Sequence, residues 1–67
     1  MRKPDSLEMR SRGNVKPDLA FDVGEAQEGG FWVLAQGLYA MSAAECRRLA
    51  AWLIRAAEWI ENKEGGR

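Results

Sequence analysis

Sixty-seven residues carry ten Lys and Arg against ten Asp and Glu, a formal net charge of zero, with no His and three Trp. A chain of this length holds one domain, residues 1–67, and buries only about 60% of the surface its unfolded form exposes, so one core contributes roughly 3–5 kcal/mol and a partner chain is a natural supplement. The missing His removes the commonest general base, zinc ligand and physiological pH switch together, and the balanced charge lacks the positive excess of a dedicated nucleic-acid binder.

The start, Met1-Arg2-Lys3-Pro4-Asp5, is charged and leads into no apolar run, which reads as neither a signal peptide nor a membrane span. Residues 1–6 read as flexible. Leu7-Glu8-Met9-Arg10-Ser11-Arg12 alternates, and Gly13-Asn14 turns it back toward Val15, giving an optional fourth strand at a sheet edge. Lys16-Pro17 opposes central pairing there, because Pro has no N–H to give a ladder. Arg2, Lys3, Arg10, Arg12 and Lys16 against Asp5, Glu8 and Asp18 leave residues 1–18 at +2.

Residues 19–41 read as a β-meander. Leu19, Phe21 and Val23 face one way, a polar turn over residues 24–30 follows, and Phe31-Trp32-Val33-Leu34-Ala35 is the next strand. Gln36-Gly37 reads as a tight hairpin into a third strand, Leu38-Tyr39-Ala40-Met41. Phe31 and Val33 point to one face and Trp32 and Leu34 to the other, so both faces are apolar, and Tyr39 extends the Trp32 patch. Asp22, Glu25 and Glu28, with no cation among residues 19–41, form an acidic patch of −3 suited to a basic partner or to mimicry of a phosphate path.

Ser42-Ala43-Ala44-Glu45 is a capping box, and Met41 with Cys46 occupies the two positions of a hydrophobic staple. Good helix formers follow, with Gly65-Gly66 as the stop, so a helix is expected from Ala43 to about Lys63. Cys46, Leu49, Ala50, Leu53, Ala57 and Ile60 fall within a stripe about 100° wide, the expected contact with the sheet. Trp52, Ala56 and Trp59 form a second ridge, Ile54 lies on the other side, and the apolar arc of roughly 200° exceeds what one small sheet covers. Three covers suit the Trp ridge. The N-terminal segment can fold over it with Arg48 and Arg55 on the indoles, a second copy can pair with it about a twofold axis, or a different protein can bind it.

The expected architecture is α+β: a three-stranded antiparallel meander, four-stranded with the N-terminal edge, followed by one C-terminal amphipathic helix packed on the sheet. Catalysis finds no footing. Cys46 lies on the stripe expected to be core, which reads as a buried structural thiol, and no His activates it or Ser6, Ser11 or Ser42. Asp18, Asp22, Glu25 and Glu28 lack the alternate-position spacing of a calcium loop, and Gly29-Gly30 precedes a strand where a phosphate cradle precedes a helix. No cofactor, metal or enzyme activity is expected. The mixed charge on the helix's polar face argues against a membrane surface, and a single cysteine fits the reducing cytoplasm.

The functional expectation is a non-catalytic protein-interaction module, a homodimeric regulator or inhibitor that occupies a partner protein's surface through Trp52, Trp59 and Arg55 on the helix and Trp32 and Tyr39 on the sheet. Ten Ala and seven Gly with no Thr fit a GC-rich bacterial or viral gene, and by size and style such chains include phage or mobile-element inhibitors of host defence. The alternative is a nucleic-acid-binding regulatory protein using Arg10, Arg12 and Lys16 with the sheet aromatics stacked on bases.

Overall fold

Two turns fold the first half of the chain into an antiparallel sheet. In the computed structural model, which describes residues 1–65, β1 (Leu7–Met9), β2 (Leu19–Glu25) and β3 (Phe31–Gly37) precede α1 (Ala43–Gly65). The sheet order is β1-β2-β3, with Leu7 opposite Phe21 and Val23 opposite Val33. The first turn closes with the Asn14 N–H donating to the Ser11 carbonyl at 3.0 Å. Asp18 fastens it, its carboxylate accepting from the Ser11 N–H at 2.6 Å and the Asn14 amide at 2.8 Å. Hydrogen bonds from Ser11, then Asn14, hold the Asp18 carboxyl below the ordinary range. The second turn closes with the Gly29 N–H on the Ala26 carbonyl at 3.1 Å.

The meander therefore differs from the expected one in its third strand. Residues 38–41 form no strand, and β1, the optional edge, supplies the pairing instead. Gly37 ends β3 at a φ of +110°, where the backbone passes so close to the Asp18 carbonyl that a side chain has no room. Beyond it the Leu38 N–H donates to Asp18 at 2.9 Å. Only residues 38–42 then remain to climb from the sheet to α1, a layer spacing of about 10 Å, which leaves no length for a hairpin. β1 is also shorter than its alternation suggests, so Arg10 and Arg12 lie past its end.

The helix begins as the capping box predicts. The Ser42 N–H donates to Glu45 Oε1 at 2.9 Å and the Glu45 N–H to Ser42 Oγ at 3.2 Å. The Tyr39 hydroxyl also donates to Glu45, and the Ser42 N–H first, then Tyr39, hold the Glu45 carboxyl low. The helix continues to Gly65, past the expected Lys63, while Gly66 of the expected stop lies outside the described residues.

The rotation of the helix is the main correction. Trp52, Ala56 and Trp59, 1, 2 and 5% exposed, face the sheet, whereas Cys46, Ala50, Leu53 and Ala57 are exposed and Leu49 and Ile60 lie at the border. Side-chain area explains the choice. Each indole removes roughly 150–250 Å² from water, which Cys and Ala cannot match at about 25 cal/mol per Å². Trp52 packs on Phe21 with ring centroids 6.1 Å apart, Trp59 meets Phe31 edge-on at 5.5 Å, and Leu7, Met9, Leu19 and Val23 complete the core. The Trp52 indole N–H donates to the Asp5 carbonyl at 2.7 Å. The cover for Trp52 is thus the chain's own N-terminal segment, and the cation over Trp59 is Lys63, 5.9 Å from the ring, in place of the expected Arg55. Residues 1–6 have no regular structure but are tied by this bond and by Lys3 Nζ, 3.9 Å from Asp22.

Two outcomes follow. Trp52→Ala should cost about 3–5 kcal/mol, on the scale of the whole stability, and should abolish the far-UV helix signal at 25 °C; a folded monomeric variant would contradict the core position. Glu45 and Asp18 have folded pKa values below their unfolded ones, so their stabilisation is present at neutral pH and is lost as pH falls through the carboxylate range. Glu45→Gln keeps an acceptor for Ser42 and should flatten the acid limb of urea midpoint against pH. An unchanged acid limb would show that Glu45 contributes nothing to it.

Candidate interaction surface

β3 is an edge strand by the sheet order, and its sequence, Phe-Trp-Val-Leu-Ala-Gln-Gly, holds no charge and no Pro. Those are the residues that normally blunt an edge against pairing. The bonds from the Leu38 N–H to Asp18 and from the Ala26 N–H to Gly30 fix the phase of the β2–β3 ladder. Because bonded and non-bonded pairs alternate, Trp32, Leu34 and Gln36 bond to β2, while Val33 and Ala35 turn their N–H and C=O groups to the open edge.

Along the helix, Trp52 packs on Phe21 of β2 and Trp59 on Phe31 of β3. The helix's Arg48 and Arg55 flank leans toward the N-terminal segment, forming with Arg2, Lys3, Asp5 and Trp52 a shallow basic cleft. The opposite flank, with Leu49, Leu53 and Ile60, therefore overlooks β3. Val33 shares the helix side of the sheet with the fully buried Val23, yet it is 49% exposed, and Leu53 on the helix is 44% exposed. Val33, Ala35 and Leu53 are thus apolar and exposed on the helix side of the molecule.

On the far face of the sheet the register groups Ala20, Asp22, Gly24, Trp32, Leu34 and Gln36. The Trp32 indole lies flat across Gly24, where a Cβ would collide with its six-membered ring. Gly24 is buried beneath it, and Trp32 keeps 42% of its surface in water. Asp22 is half-buried, accepts from the Val23 N–H at 2.8 Å and faces Lys3.

The expected interface residues separate in space. Trp52 and Trp59 belong to the core, so they offer no docking surface. Arg55 rims the basic cleft. Tyr39 packs against the core and bonds Glu45, past the end of β3 opposite to Trp32, so it does not extend the Trp32 patch. Trp32 is 42% exposed on the far face of β3. The acidic trio is dispersed, with Asp22 on the far face, Glu25 on the helix side and Glu28 in the turn. Arg10, Arg12 and Lys16 are exposed in the β1–β2 connection, with Arg10 donating to the Val15 carbonyl at 2.8 Å and to Glu8 at 3.0 Å. Cys46, expected to be buried, is free and exposed.

Sequence reasoning missed Val33 and Leu53 as surface. One signal was available: no charged residue occurs from Gly29 to Ala44. Among the described residues no group of three or more His, Cys, Asp or Glu is placed to hold a metal ion, and no helix is long and apolar enough to cross a membrane. Searches of protein-family models, curated proteins and solved structures return no match for the chain.

Gly24→Ala tests the seat of Trp32. Ala normally exceeds Gly in a strand by about 0.5–1 kcal/mol, so a fall in stability with red-shifted Trp fluorescence is expected from the displaced indole. A stabilised variant with an unshifted spectrum would show that the indole does not rest there.

Proposed function

We propose that the protein is a non-catalytic interaction module that self-associates and, as a homodimer, occupies the surface of another protein as a regulator or inhibitor. The observation that carries this reading is the charge-free β3 edge with half-exposed Trp32, Val33 and Leu34 on its two faces. Strand addition at such an edge draws affinity from main-chain hydrogen bonds and specificity from alternate side chains.

Catalytic alternatives have few parts to work with. Ser42 is a helix cap, the Ser11 hydroxyl is bonded to Asp18, and Cys46 has no His anywhere in the chain to activate it. Nucleic-acid binding is the weaker reading, because Arg10 is engaged by Glu8 and Val15 and the Trp32 indole lies against its own sheet. A reducing, cytoplasmic setting and a phage or mobile-element origin complete the proposal, on the single thiol and on size and style.

Light scattering at high micromolar concentration should give about twice the chain mass. Val33→Lys, at an exposed position, should return the mass to that of one chain with the circular dichroism spectrum unchanged. A parent protein at single-chain mass throughout would end the homodimer reading.

A further inference from the structure

We infer that a second copy of this chain adds to the β3 edge in antiparallel register centred on Leu34, joining two sheets into one of six strands with both helices on the same side. The inference rests on the self-association proposed above and specifies its geometry.

Area gives the first argument. A folded monomer of 7.5 kDa exposes about 4,200 Å² by general mass scaling, whereas this chain exposes 5034 Å². The excess of roughly 800 Å² matches what each partner contributes to a standard interface. The Cα radius of gyration, 13.4 Å, likewise exceeds the value of about 11 Å usual for a compact domain of this length.

Register gives the second. A twofold axis perpendicular to the sheet pairs a strand with its own copy and keeps each face on its own side. Residues that turn their backbone groups outward must meet each other, which limits the centre to a few positions. Centring on Leu34 pairs all seven residues of β3, whereas centring on Val33 or Ala35 pairs fewer. In this register Val33 and Ala35 of each copy exchange both hydrogen bonds with Ala35 and Val33 of the other. Leu34 meets its counterpart on the far face, and Trp32 meets Gln36. No like charges are opposed, since the strand carries none. On the helix side, the two flanks bearing Leu49, Leu53 and Ile60 face each other across a shared floor of Val33 and Ala35.

Thiol trapping tests the register. In a Cys46→Ser background, Leu34→Cys places two thiols at a non-bonded pair, with Cα atoms about 4.5 Å apart, inside the range a disulfide spans. Mild oxidation should link Leu34→Cys into a covalent dimer at least several-fold faster than Val33→Cys or Ala35→Cys alone, while mixing the latter two variants should yield linked pairs. If Val33→Cys or Ala35→Cys self-links faster, or if nothing links while light scattering still gives twice the chain mass, this register is wrong and self-association stands. If light scattering gives one chain mass, self-association fails and the register with it.

Discussion

The Trp52 indole, sealed between Phe21 and the N-terminal segment with its N–H on the Asp5 carbonyl, sets the position of everything around it. A buried indole nitrogen without a partner would cost on the order of 1–3 kcal/mol, so the ring needs an acceptor as well as an apolar seat. Asp5 supplies it from just before β1. The N-terminal segment, largely exposed itself, is thereby fastened to the core, and β3 forms the long edge of the sheet. The Trp52 contact thus sets the helix rotation and with it the helix surface that remains open.

The sheet accommodates this choice in several places. Asp18 locks the β1–β2 connection from both oxygens of its carboxylate and holds the exit from β3 with its carbonyl. Gly24 gives the Trp32 indole a place to lie down, which covers part of an otherwise open face. The core remains small: among the described residues seven side chains are well buried, including two Trp and one Ala. A three-stranded sheet under one helix has two edges. Here β1 is short and flanked by charge, while β3 is long and has none.

Much of the fold was legible in the sequence because its signals were local. The capping box at Ser42 and Glu45 depends on neighbours three residues apart, and the alternation of Leu19, Phe21 and Val23 reports one strand's own pleat. The side of the helix that faces the sheet was not local information. Two apolar stripes competed, and the greater angular width favoured Leu49, Leu53 and Ala57, whereas area per side chain and the distant Asp5 acceptor decided for Trp52 and Trp59. The identity of the third strand failed for a related reason. Residues 38–41 have good strand composition, but the distance to the helix layer consumes them. The apolar surplus recognised in the helix is real and lies on the opposite flank, which moves the candidate surface from the Trp ridge to β3 and Leu53.

The central claim is that β3 is open in one chain and covered by a second. Amide hydrogen exchange followed by NMR across a dilution series tests it residue by residue. The Trp32 and Leu34 amides, bonded to β2, should be protected at every concentration at which the chain is folded, while the Val33 and Ala35 amides should gain protection only as concentration rises. Equal protection of Val33 and Ala35 from the lowest to the highest concentration would contradict the account.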